Sequence, residues 1–431
     1  MIALVAPILA LLISVSLLLM GNGLQNTLLP VRASIEAFSA IDIGIMGSAY
    51  FLGFGAGCVY GPYIVRRVGH IRTFTAMATI ASCAVLVHAF VLNPTVWWLL
   101  RVATGICFAV LYMVIESWLN EKASNENRGT VFSIYTIINL TVVTLGQMML
   151  TLDEPSNFML FSFASILVSL AAVPVALSKS AEPSPIQSVK IDFRGLFRTS
   201  PVGVIGCLAV GLANGAFWAL APVFARGDST EVKTVAIFMS VAVIAGAIGQ
   251  WPLGRMSDRM DRRRVILLVC GGAMCAGILM ALLNPSSNEM LLAAAFAFGL
   301  FAFPLYSLCV AHTNDFADES KYVEVACGLL LVYAIGAVVG PIVASVFMRF
   351  IGAGGLFTFT ALVHAGMIVF VIHRLRQRVV TPVEDHISFA DAMRVGLTVS
   401  SVDSISHSEH SEHSEHSEHP EHPEQQQKPD Q

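Results

Sequence analysis

Apolar stretches of about 19–26 residues recur along the whole chain, each separated from the next by a few polar or charged residues. They fall at roughly 7–29, 43–65, 73–92, 96–119, 130–150, 158–177, 201–225, 234–253, 265–283, 290–311, 323–348 and 355–373. Each is long enough for a helix to cross a hydrocarbon core of about 30 Å, and too long for a barrel strand, which needs only about ten residues. The stretches are apolar all round, rich in Gly and Ala, and hold Pro, as membrane helices tolerate. The expected fold is an all-α membrane protein with twelve transmembrane helices.

Composition agrees. Of 431 residues, 55% are hydrophobic and only 13% charged, about half the charge of an ordinary soluble domain. Soluble enzyme, nucleic-acid binder and secreted disulfide scaffold are set aside on that ground. The net charge of −4 says little, because its distribution matters more than its sum. Lys and Arg fall at 66, 67 and 72, at 122 and 128, at 179, 190, 194 and 198, at 255–264, at 321 and at 374–378. All of these lie on one side of the predicted spans, and the other side has only Arg32, Arg226, Lys233 and Arg349. The positive-inside rule then places both termini in the cytoplasm. The first apolar stretch follows the initiating Met without a basic segment before it, so it is read as a retained helix, not a cleaved signal. The eight cysteines sit within or at the ends of spans with no CxxC pair, which favours helix packing over disulfides or zinc.

Sliding the chain along itself by 192 residues places Asn22-Gly23 on Asn214-Gly215, Pro30 on Pro222, Arg67 on Arg259 and Arg72 on Arg264. The chain is therefore read as a six-helix unit repeated in one orientation: 1–177, a linker at 178–200, and 201–376. The linker is a plain connector or, around Ile191, Phe193, Leu196 and Phe197, a short interfacial helix that couples the halves. Residues 377–431 form a tail expected to be disordered. In it a period-three run places His407, His410, His413, His416, His419 and His422 between Glu and Ser. Such a run is a solvated low-complexity segment or a loose site for a divalent metal.

Two like-oriented six-helix halves resemble the architecture of the major facilitator superfamily, whose substrate site lies between them at the midplane. The loop after the eighth span, Gly254-Arg-Met-Ser-Asp258-Arg259-Met-Asp261-Arg262-Arg263, resembles that superfamily's signature G-x-x-x-D-R-x-G-R-R, with Asp261 in place of the second Gly. Its first-half counterpart keeps Gly69 but has Arg66 at the acidic position. The resemblance implies conformational-latch roles for Asp258, Arg259 and Arg263. On the fourth span, Arg101-Val-Ala-Thr-Gly105 resembles the R-x-x-x-G element. The strings ESWLNEKAS (116–124), NRGTVFSIY (127–135), RRVGHIR (66–72) and FPLYSLCVAHTND (303–315) together resemble YcaD-type bacterial permeases of the superfamily.

Ionisable groups in a span are costly and usually face a partner or an aqueous pathway. Arg101 and Glu116 share a helix face but are separated by about 22 Å of rise, so they cannot touch. Glu116 is a gate residue paired with Arg66 or Arg67, a proton carrier, or a side chain snorkelling to the interface. Arg101 serves proton-linked function or anchors the outer end. Polar residues inside spans mark a candidate cavity lining: Asn22, Gln25 and Asn26, Asn139 and Gln147, Asn214 and Trp218, Gln250, and Tyr306. Interhelical hydrogen bonding is the alternative role for them.

The expected function is secondary active transport of a small solute across the bacterial inner membrane by alternating access, coupled to protons. Uptake and export both fit. No P-loop, H-E-x-x-H or G-x-S-x-G is present, so neither ATP-driven transport nor enzymatic chemistry is expected, and no cofactor. The expected partners are a small-molecule substrate and the lipid bilayer, with no nucleic acid, in a monomer. The alternative is a transporter-like sensor whose His-rich tail binds metal.

Overall fold

The predicted spans all form. The computed structural model describes residues 8–123, 127–177, 192–227, 231–283, 287–318, 321–377 and 388–389. Among them are twelve helices long and apolar enough to cross a membrane: α1 Leu9–Ile35, α2 Ala40–Val68, α3 His70–Phe90, α4 Pro94–Lys122, α5 Gly129–Leu152, α6 Met159–Ala176, α7 Pro201–Arg226, α8 Val232–Ser257, α9 Arg262–Leu282, α10 Asn288–Asn314, α11 Glu324–Ile351 and α12 Gly355–Leu375. Several run a turn beyond the apolar stretch that predicts them, because capping groups end them and not hydropathy. Ser39 and Asp42 form a reciprocal capping box at the start of α2, Asn93 caps α4 ahead of Pro94, and Ser200 caps α7 ahead of Pro201. In the linker, a short helix at Phe193–Thr199 buries Leu196 and exposes Phe193 and Phe197. The six tail histidines lie outside the described residues.

The outer surface of the bundle is apolar. Phe90, Leu99, Trp251, Leu282, Phe350 and Val369 are all exposed, an arrangement that water would penalise and lipid does not. Each of the eight cysteines is a free thiol.

The two halves are α1–α6 and α7–α12. Within the first, α2 packs on α4; within the second, α8 packs on α10. Across the halves α2 meets α11 and α5 meets α8. The 192-residue repeat turns one of these cross-pairs into the other, as a two-fold pseudo-axis along the bundle requires. Ser34 and Arg226, equivalent positions in the repeat, meet at that axis, where Arg226 Nη1 donates to Ser34 Oγ at 2.8 Å.

Packing differs between the two ends. At the end away from the basic loops, one apolar core draws on both halves, joining Leu24, Leu28, Phe161, Phe217, Phe238 and Phe357. At the basic end there are two separate cores. One uses only first-half residues such as Val65, Phe108 and Leu119, and the other uses second-half residues such as Val265 and Leu308 together with Leu196 of the linker and Phe389 of the tail. The halves are thus sealed together at one end and parted at the other.

Candidate functional site

The parted halves enclose a cavity of about 630 Å³. Its walls come from α1, α2, α4, α5, α7, α8, α10 and α11, and none from α3, α6, α9 or α12. A break in α10 at Phe303 and Pro304 helps to shape it, since the helix is interrupted there and Phe303 and Ser307 both border the space.

Of the polar residues singled out from the sequence, Asn22, Asn26, Asn139, Asn214, Trp218 and Gln250 border this cavity. The repeat-related pair Asn22 and Asn214 thus face one another's half across it. Gln25, Gln147 and Tyr306 do not border it. Gln25 is buried with neither amide atom hydrogen-bonded. Gln147 accepts from Ser240 Oγ at 3.4 Å, a bond that joins the halves at the sealed end. Tyr306 is half-buried with its hydroxyl enclosed, edge-on to Tyr333 at 5.5 Å between ring centroids. The sequence reading missed the aromatic lining, including Tyr50, Phe54, Tyr112, Phe303 and Tyr333. Aromatic side chains in a span look alike whether they face lipid, a neighbour or a cavity, and helix rotation is set by packing.

Arg101 borders the cavity too. Its Nη2 donates to Asn26 Oδ1 at 3.1 Å, and its guanidinium carbon lies 4.2 Å from the centre of the Tyr50 ring. Asn26 in turn donates through Nδ2 to Asn22 Oδ1 at 3.1 Å. The R-x-x-x-G spacing has a physical reason here. A Cβ at Gly105 would run into the backbone of Tyr50, Gly53 and Phe54, so the glycine lets α2 and α4 touch and brings Tyr50 under Arg101.

Glu116 is half-buried toward the basic end of α4, within electrostatic reach of Cys58, Tyr112 and Tyr135, the first two of which border the cavity. The expected partners Arg66 and Arg67 are exposed and do not reach it, and Arg67 instead donates to Tyr63 Oη at 3.4 Å. Among the described residues no ion pair includes Glu116. The strings ESWLN and RRVGHIR do come together. His70 Nε2 and Ser117 Oγ are 3.2 Å apart, and the His70 and Trp118 rings lie 6.0 Å apart. Between α2 and α3 the chain turns on a single residue, Gly69, whose φ of 89° only glycine adopts without strain.

In the second-half loop, the place of that glycine is taken by Asp261, and the structure shows why an acid works there. Its carboxylate accepts from the Arg263 backbone N–H at 3.0 Å and from the Arg263 guanidinium at 2.9 Å, capping α9. Asp258 accepts from Arg262 Nη1 at 3.3 Å and from the backbone N–H of Phe389 at 2.8 Å. Arg262 is held in turn by Asp315 at the end of α10, at 2.7 Å with both side chains 1% exposed. Arg259 is exposed. Neither Arg262 nor Asp315 was singled out from the sequence. None of these bonds among the described residues reaches the first half. The tail also returns to this loop: Phe389 is buried, and its ring lies where a Cβ on Gly254 would go.

The Asp261 carboxyl is pulled two ways. Burial raises it, while the hydrogen bonds and charge of Arg263, with His312 nearby, outweigh burial and hold it below the usual aspartate value. A carboxylate lowered on folding stabilises the fold above its unfolded value, and that contribution is lost as pH falls through the lowered one. Asp261→Asn should therefore melt earlier than the parent protein at neutral pH, with the gap closing below about pH 4. Paired melting curves across that range test this, and a gap that stays constant contradicts it.

Comparison with known proteins points one way. A family model described as Major Facilitator Superfamily matches residues 11–326 and 231–395. The MFS-type transporter YcaD of Escherichia fergusonii is 24% identical over 345 residues, covering 80% of this chain and 89% of that protein. YcaD of Escherichia coli is 26% identical over 349 residues, with the same coverage. Among solved structures, the nucleoside transporter NupG superposes with a TM-score of 0.71 at 16% identity, covering 85% of this chain and 98% of that one. A bacterial homologue of the human lysosomal transporter Spinster, in an inward-facing and occupied conformation, gives 0.70 at 16% identity, covering 88% and 98%.

Proposed function

The chain belongs to the major facilitator superfamily of membrane transporters, and from that premise we propose that it moves a small solute across the bacterial inner membrane by proton-coupled alternating access. The observation that carries this reading is the cavity between two halves, sealed by a shared core at one end and flanked by separate cores at the other. A structure of this kind changes access by rocking: the shared core parts while the basic ends close. The basic loops put the open end in the cytoplasm, so this is the inward-open state. Glu116, in no ion pair among the described residues and toward the open end, is the proton-carrying group. YcaD relatives and the Spinster homologue, in its inward-facing conformation, support the reading. Nothing in these likenesses favours the sensor alternative.

The test needs no substrate. In a background lacking the eight cysteines, spin labels at Asn157 and Lys233 report the sealed end, and labels at Val68 and Met260 report the basic end. In lipid nanodiscs, a change of pH should lengthen one distance while it shortens the other, and Glu116→Gln should abolish the response. Two static distances, or two that change together, would rule out rocking. A pH response that persists in Glu116→Gln would remove that residue from the coupling.

A further inference from the structure

Arg101 is 7% exposed, and its guanidinium is satisfied at one atom only: Nη2 reaches Asn26, while Nε and Nη1 have no hydrogen-bond partner. The Tyr50 ring beneath it supplies a weak electrostatic contact and no counter-charge. Among the described residues no Asp or Glu borders the cavity. Among the described residues Arg101 is in no ion pair: Glu36 pairs with Arg32, Asp42 serves the α2 cap, and Glu116 lies about 22 Å further along the same helix. A desolvated guanidinium with no anion near it is costly, and an Arg that faces a transport pathway instead of a carboxylate is placed to take a charge of opposite sign.

The opposite wall has the complementary deficit. Asn214 Oδ1 and Gln250 Oε1, both in the second half, are buried acceptors without a donor. The same cavity is lined by Phe54, Trp218 and Phe303. Resting on the transport reading above, we propose that the cavity takes an organic monocarboxylate with an apolar body and a hydroxyl at its far end. The carboxylate takes the unsatisfied donors of Arg101 in the paired geometry that guanidinium favours, and the hydroxyl donates to Asn214 or Gln250. A single buried cation matches a single negative charge. A dianion would bring one charge too many, and an organic cation would meet Arg101 with no acid to hold it. Because Arg101 and Asn26 belong to the first half and Asn214 and Gln250 to the second, such a ligand bridges the halves and couples its own binding to their closure.

Three probes with one body test the charge: 4-hydroxyphenylacetate, its neutral amide and tyramine. Each is titrated against full-length protein by thermal stabilisation to about 10 mM, enough to saturate a millimolar site. The carboxylate should bind at least about tenfold more tightly than the amide, and tyramine should not stabilise. Arg101→Gln should erase the preference for the carboxylate and Arg101→Lys should keep part of it. Equal stabilisation by acid and amide, stabilisation by tyramine, no effect of the acid at the highest concentration, or a preference that survives Arg101→Gln each overturns the proposal. The comparison within the parent protein decides even if Arg101→Gln does not fold. The label distances separate the two readings: rocking that responds to pH without carboxylate selectivity leaves transport standing and removes the anion.

Discussion

Asp315→Ala should destabilise the second half by about 3–5 kcal/mol, the usual cost of stranding one member of a buried ion pair. Asp315 and Arg262 are each 1% exposed and meet at 2.7 Å, so removing the carboxylate strips a buried guanidinium of its charged partner at that atom. Two other acceptors on Arg262 replace it poorly. Ser257 Oγ is neutral, and Asp258, at 3.3 Å, is already shared with the Phe389 N–H. The double replacement Arg262→Met with Asp315→Leu should recover most of the loss, because burial of apolar groups of similar volume avoids the desolvation of both charges. Denaturant unfolding in micelles measures both. A single replacement that costs less than about 1 kcal/mol would mean that the pair is hydrated and behaves as a surface ion pair.

Gly47→Leu should prevent the halves from sealing. A Cβ on Gly47 would collide with the β-carbon of Ala219 in α7, and Pro341 of α11 lies just behind. The contact crosses from first half to second, so the added volume is met only when that end is closed. Overpacking of this kind costs about 1–3 kcal/mol, enough to move the balance of states by roughly 5- to 150-fold toward opening there. The distance between labels at Asn157 and Lys233 should lengthen and turnover should fall. Gly271→Leu is the control, since a Cβ there meets nothing within 4 Å. An unchanged distance distribution in Gly47→Leu would show that this contact does not hold the seal.

What could be read from residues alone follows from how far each signal extends. A span is a statement about some twenty residues, so the loss of a few polar positions does not erase it, and all twelve were legible. The repeat was legible because Asn22 and Asn214, or Arg67 and Arg259, keep one offset through the whole chain. A wall of the cavity is a matter of one side chain and one helix rotation. Asn22, Asn26, Asn139, Asn214 and Trp218 reach it, whereas Gln25, one position before Asn26, does not, since a single step along a helix turns a side chain by about 100°. Gln147 shows the same limit from another side, its polar group serving the contact between halves instead of a solute.

The loop after α8 divides in the same way. Its signature was legible as a string, and from the string Asp258, Arg259 and Arg263 were expected to act together. Which cation Asp258 meets depends on where α9 and α10 bring Arg262 and Asp315, residues separated by 53 positions. Local pattern fixes the number, length and polarity of the helices, because hydrophobic transfer and backbone satisfaction in lipid act on each segment separately. Only tertiary packing decided which end is sealed, that Arg101 faces a cavity without an acid, and that Glu116 stands apart from Arg66 and Arg67. These depend on the rotation and tilt of helices against one another, which many near-equal apolar contacts set jointly and no single segment encodes.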